Sequence, residues 1–351
     1  MAQASYLLLA FLLTAVACWG FAELARIAPQ LRLLDLPDER KQHAAAVPVV
    51  GGLGIFVGLL LAALLCGQAW PLEVLLPSLS LFLVGLVDDL RGMRALVKLL
   101  AQVLCAWWLV ELTGASLYAL PMPFAYGHWV LGPLATPLTV LLVVALLNAI
   151  NMIDGLDGLA GGCLAIAALG IAYAAWVVGR ADLGVSALAL CAALAGFLLW
   201  NARLPWQQRA RLFLGDAGAL GVGLVLCWLM FRLSLTPGGT RVPVTVALAP
   251  LAVPLIDMVV VAFWRLAEGR NPMQADRGHS HHLLLGLGLS AVGAVRLIWI
   301  ASALVTVLTC VAWRAGVAEG RLLGVLLLAA VLHMVWFRRS WLALRRSKEN
   351  V

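Results

Sequence analysis

The chain has 351 residues, 64% of them hydrophobic and only 12% charged, with 24 Lys and Arg against 17 Asp and Glu. A soluble domain is about 25% charged and about 45–50% apolar, so a soluble enzyme, a disordered chain and a nucleic-acid binder are poor fits despite the net charge of +7. The mean hydropathy of +1.01 points instead to a polytopic membrane protein.

A helix needs about 20 apolar residues to cross a bilayer. That ruler predicts eleven spans, near 5–27, 50–67, 71–87, 96–112, 133–150, 161–178, 183–200, 217–235, 243–264, 288–313 and 321–337. The expected class is an all-α polytopic membrane protein with about eleven transmembrane helices. Residues 1–351 form one domain, with 338–351 as a basic tail. The first apolar run lacks the basic start of a signal peptide and reads as a retained helix. The seven cysteines all lie in apolar runs without metal spacing and read as buried thiols.

With the N-terminus outside, the inner loops are 26–49, 88–98, 148–160, 201–214 and 265–282, joined by the tail. They hold most of the 24 Lys and Arg, whereas Arg180, Arg232, Arg241, Arg314 and Arg321 fall on the outer side. That bias follows the positive-inside rule, with the C-terminus in the cytoplasm.

Acids and histidines gather on the same side. Asp88, Asp89, Asp154, Asp157, Asp216 and Asp276 lie at inner span ends or in inner loops, with Lys41, His43, His279, His281 and His282. A carboxylate inside a membrane costs about 2.5–3.5 kcal/mol or more and usually marks function. A transporter places such groups near the midplane; an enzyme joining a cytoplasmic substrate to a lipid places them at the interface.

In DLPDERKQHAAAVPVVGG, Lys41 and His43 suit phosphate contact, although a basic stretch beside a membrane also meets anionic lipid. Asp88 and Asp89 end an apolar run and, being adjacent, cannot face the same way on a helix. One suits substrate, the other the orientation of a base or water; a solvated helix end is the plain alternative. Asn148, Asn151, Asp154 and Asp157 recur every three residues, predicting one stripe of oxygen ligands suited to a hard cation. Asp216 sits between Gly215 and Gly218 at a helix start, where it suits either a metal or an N-terminal cap, and Phe213 suits stacking on a base or packing on lipid. His279, His281 and His282, with Arg277, read as an anion-binding loop, because zinc would need a further ligand.

The run DxPxxRKxH, DD, NxxDGLDGLAGG, FLGDAG and DRxHxHHLL, in that order over 35–282, resembles the polyprenyl-phosphate N-acetylhexosamine-1-phosphate transferases. These bacterial enzymes start O-antigen, enterobacterial common antigen or teichoic-acid synthesis, and the HxHH form resembles those branches rather than the one that makes lipid I. The resemblance implies attack by undecaprenyl phosphate on a UDP-N-acetylhexosamine, with UMP leaving, in the bacterial inner membrane. It implies Mg²⁺, with Mn²⁺ as a substitute, on Asp216 and Asn151. It implies Asp88 as the base or as the group that positions the lipid phosphate, with Asp89 assisting. Substrate contacts would come from Asn148, Asp154, Asp157, Phe213, Arg277 and the histidines, and from Lys41 and His43. Many members dimerise, so a homodimer is implied too. The sugar stays open among GlcNAc, GalNAc, FucNAc and QuiNAc, as does direct transfer against a phospho-aspartate on Asp88. The lysine that follows the Asp pair in the lipid I branch is missing here, where Arg91 and Arg94 come first and Lys98 later. A secondary transporter of nucleotide-sugar or lipid-linked sugar is the alternative class.

Overall fold

The computed structural model describes residues 2–31, 33–35, 46–235, 242–271 and 278–349. Lys41, His43, Asp276 and Arg277 lie outside the described residues. Within them the protein is built almost wholly from helices. Two small antiparallel pairs complete it: β1 (Leu34–Asp35) with β2 (Val47–Pro48), and β3 (Ala119–Pro121) with β4 (His128–Val130).

Every expected span contains a helix. In chain order they are α1 (Ala2–Ile27), α2 (Gly51–Leu65), α3 (Leu72–Arg91), α4 (Ala95–Thr113), α5 (Ala135–Ile153), α6 (Leu159–Val177), α7 (Ala181–Asn201) and α8 (Gly215–Ser234). Then follow α9 (Val244–Leu248), α10 (Ala252–Ala267), the short α11 (Ser280–Gly286), α12 (Ala291–Arg314) and α13 (Glu319–Glu349). The chain is thus an all-α polytopic membrane protein. Among the described residues, nine helical stretches are long and apolar enough to cross a membrane. The two further expected spans are α2, whose 15 residues reach only ~22 Å, and α3, which carries Glu73, Asp88, Asp89 and Arg91.

Two boundaries differ from the sequence reading. The ninth span is interrupted: α9 passes through a 3₁₀ turn, Ala249–Leu251, into α10. Pro250 lacks the N–H that a continuous helix would use, and its ring crowds the preceding turn. The basic tail, in turn, continues the last helix. From Val325 to Glu349 the sequence holds no Gly or Pro and is rich in Leu, Ala and Arg, which are strong helix formers.

At the centre of the bundle lies α8, with nearly every residue buried. It packs against α3, α5 and α2, while α1 packs on α2 and α7. Small residues let α8 come so close. A Cβ at Gly52 would lie 2.3 Å from the Gly218 nitrogen, and one at Gly85 would lie 2.6 Å from the Ala217 backbone. The acid-bearing end of α3 is therefore pressed onto the first turn of α8. Around the outside, Leu, Val and Trp side chains on α1, α4, α12 and α13 stand exposed, as a lipid-facing surface requires. All seven cysteines are free thiols, five of them buried.

Gly85→Leu should force α3 off α8 and lower the melting temperature in detergent by several degrees. Gly20→Ala, at an open position on α1, should hold or raise it, because Ala favours helix by about 0.5–1 kcal/mol. Equal melting temperatures for the two variants would contradict the close packing.

Candidate active site

The last turn of α3 carries Asp88 and Asp89, and Gly92, in a left-handed conformation at φ +69°, turns the chain toward α4. Lys98, in the first turn of α4, then points back. Its Nζ donates to Asp88 Oδ2 at 2.9 Å and also to Asp216 Oδ2, in the first turn of α8. Asn151, near the end of α5, donates its Nδ2 to Asp216 Oδ1. Three helices thus bring an acid, a lysine and an amide onto one carboxylate at the start of a fourth.

Asp89 points elsewhere, as adjacent helical positions must. Its Oδ1 accepts the backbone N–H of Asp216 at 2.9 Å and its Oδ2 that of Ala217 at 3.0 Å. Those donors belong to the open N-terminal turn of α8, which favours an anion. Only glycine suits position 215: its φ is +75°, and a Cβ there would lie 2.6 Å from Asp89 Oδ2. The alternative of Asp216 as the cap of its own helix is not what the geometry shows, since Asp89 supplies the cap from α3.

The expected stripe of four polar residues is broken. α5 ends at Ile153, so Asp154 and Asp157 lie in the following turn, closed by Gly158 at φ +84°. Asn148 remains helical, but its amide is spent on Gln102 Oε1 at 2.6 Å and Val144 O at 2.8 Å, away from Asp216. Asp157 accepts from Arg203 Nε at 2.7 Å and from Ala210 N at 3.2 Å, which ties the turn to the 201–214 loop. Enclosure, and then the charges of Asp216, Asp89 and Asp157, push the Asp154 carboxyl up to about 7. Phe213 is half-buried just before α8; its backbone joins 48–51, donating to Pro48 O and accepting from Gly51 N.

The histidines form a second group that docks on this turn. His279 precedes α11, and His281 and His282 lie in its first turn. A Cβ on Gly155 would lie 2.3 Å from His281 Nε2, so the two motifs, far apart in sequence, touch. Burial, and then the neighbouring His282 ring, push His281 down to about 3, leaving it neutral. Among the described residues, neither of its buried ring nitrogens has a hydrogen-bond partner. Behind the histidines stands Asp257, 2.8 Å from His279 Nδ1.

Sequence reasoning assigned no role to Lys98 or Asp257. The signal for Lys98 was its place in the first turn of an apolar helix, one turn of chain after the Asp pair. For Asp257 it was an acid inside an otherwise apolar span.

The donor set suits a magnesium ion, which takes oxygen ligands, uses only one or two carboxylates and leaves sites for substrate phosphates. Asp216 and Asp88 already share one ammonium, and the Asn151 amide carries an oxygen as well as the nitrogen now on Asp216. Among the described residues no three His, Cys, Asp or Glu side chains form a cage complete without substrate.

The chain is similar in sequence to known proteins. The sequence profile described as glycosyl transferase family 4 matches residues 72–234, which span α3 to α8. The undecaprenyl-phosphate alpha-N-acetylglucosaminyl 1-phosphate transferase of Escherichia coli (strain K12) is 33% identical over 331 residues, covering 90% of this chain and 86% of the relative. The protein of the same name from Salmonella typhimurium is 32% identical over 370 residues, covering 99% and 96%. That from Haemophilus influenzae is 34% identical over 285 residues, covering 79% and 78%. With similarity of this extent, and with the acids of α3 and α8 inside the matched region, the chain belongs to glycosyl transferase family 4.

Proposed function

We propose that this protein transfers an N-acetylhexosamine 1-phosphate, with GlcNAc the first donor to try, from a UDP-sugar to undecaprenyl phosphate. UMP leaves and an undecaprenyl-diphosphate sugar remains. The observation that carries the reading is the convergence of Asp88, Lys98, Asn151 and Asp216 at the half-buried start of α8. The relatives named for this reaction support it.

The reaction forms a bond from a lipid phosphate oxygen to the β-phosphorus and breaks the bond to the bridging oxygen of UMP. The work is mostly positioning and charge stabilisation. Asp88 orients the attacking phosphate and accepts its proton where it carries one. Lys98, already holding two carboxylates, offsets charge on the diphosphate. Asp216 and Asn151 would hold Mg²⁺, which when bound neutralises the diphosphate and favours departure of UMP. Asp89 keeps the first turn of α8 in place. Phe213 offers its ring to the uracil, and the His279–His282 segment meets the diphosphate or sugar. Asp154 and Asp157 shape the turn beneath.

The setting is the bacterial cytoplasmic membrane, with the N-terminus periplasmic and the C-terminus and the active site cytoplasmic. The excess of Lys and Arg in the loops on the active-site side supports that orientation.

Purified protein with undecaprenyl phosphate and Mg²⁺ should release UMP from one UDP-N-acetylhexosamine, and EDTA should stop it. Asp216→Asn and Asp88→Asn should each cut turnover at least 100-fold with little change in melting temperature. Asp89→Ala should instead lower stability by about 1–2 kcal/mol through loss of the α8 cap. A fully active Asp216→Asn protein would remove Asp216 from the reaction. In spheroplasts, a C-terminal reporter should resist external protease; its digestion would reverse the orientation.

A further inference from the structure

Asp257 lies in α10, 5% exposed, in a helix that is otherwise apolar around it. A carboxylate in such a place is costly unless its oxygens are satisfied. Here both are spent on the histidine segment. Oδ2 lies 2.8 Å from His279 Nδ1, and Oδ1 accepts the Ser280 backbone N–H at 2.8 Å. The neighbouring Ser280 Oγ lies 3.1 Å from His333 Nε2 on α13. One acid therefore fixes two consecutive residues, and α13 steadies the second.

What it fixes is a packed set of rings. His279 and His281 stack with 6° between their planes and 5.9 Å between centroids, and His282 lies 4.2 Å from His281. The His281 ring rests on Gly155, in the turn that follows Asn151, and neither of its nitrogens has a hydrogen-bond partner among the described residues. A carboxylate on one imidazole nitrogen sets the tautomer and ring orientation and leaves the other nitrogen for a third partner.

Resting on the transferase reading above, we infer that Asp257 is a positioning residue for the sugar-nucleotide side of the reaction. It holds His279 by Nδ1–H, so that Nε2 keeps its lone pair and accepts a hydrogen bond from a hydroxyl of the sugar, and it keeps the stacked His281 ring seated on the Asn151–Asp157 turn. Asp257 itself touches no substrate; it acts through residue 279.

The test is a double-variant cycle on the full chain in detergent, read as UMP release with undecaprenyl phosphate and the wild type's UDP-sugar. In Asp257→Asn the amide oxygen can still accept from Ser280 N–H, but an amide N–H now faces His279 Nδ1 and imposes the other tautomer. Asp257→Asn and His279→Gln should each lower kcat/KM for the UDP-sugar about 10–100-fold, with the KM for undecaprenyl phosphate unchanged. The double variant should be no slower than His279→Gln, and Asp257→Asn should melt within a few degrees of wild type. Full activity of Asp257→Asn, or a double variant slowed by the product of the two single effects, would overturn the inference while leaving the transferase reading intact. If Asp257→Asn alone does not fold, the double variant, with an amide facing an amide, is compared with His279→Gln. Equal rates support the inference; a lower rate, or failure of the double variant to fold, overturns it. A wild type that releases no UMP from any UDP-N-acetylhexosamine overturns both readings together.

Discussion

Everything at the candidate site depends on how closely α3 approaches α8. Gly85 removes the side chain that would separate these helices, as Gly52 and Gly218 do between α2 and α8, and the backbones come nearer than any Cβ at positions 52 or 85 would allow. Packing at this distance drives Asp88 and Asp89 against Asp216. Carboxylates so placed repel one another, and their desolvation adds to the cost. The surrounding structure answers that constraint. Asp89 is absorbed by the N-terminal turn of α8, whose backbone N–H groups favour an anion. Asp88 and Asp216 are absorbed by one ammonium, that of Lys98.

This division of labour gives two adjacent acids unlike chemistry. Asp89 has both oxygens bonded to backbone, so it is poorly placed to exchange partners during a reaction. The bonds of Asp88 and Asp216 are to a flexible lysine and a side-chain amide, both of which can yield to a phosphate or a cation. The helical step between positions 88 and 89 is what separates the stable cap from the exchangeable pair. On the proposed reading, single substitutions of the two acids therefore act through different quantities, stability in one case and turnover in the other.

Much of this was legible in the sequence. Span lengths and their apolar content placed a helix in every expected span, because in a bilayer the backbone has few alternatives to a helix. The clustering of acids at span ends also carried through. Three things were hidden, each for a physical reason. The turn after Ile153 breaks a periodicity that looks helical, because Gly155 and Gly158 release the chain and spacing alone does not reveal that. The Asn148 amide turns to Gln102, a partner 46 residues away that no local pattern identifies. Lys98 lies ten residues after Asp88 in the chain, yet the turn at Gly92 folds it back onto both acids. Contacts created by a tight turn are the least visible from spacing.

The interrupted ninth span ties the two halves of the site together. A continuous helix from Val244 would have no free rotation between its ends; the 3₁₀ turn at Ala249–Leu251 lets α10 take its own direction. α10 packs against α5 and α13, which places Asp257 beside the histidine segment and α5 beside α10. The residues of the Asn151–Asp157 turn and those of the histidine segment then meet at Gly155, where any side chain larger than hydrogen would collide with His281. Two motifs separated by more than a hundred residues are thus set at van der Waals distance by one proline-containing break and one glycine. On the proposed transferase reading, the acids of α3 and α8 and the histidine segment act on one substrate only while this contact holds.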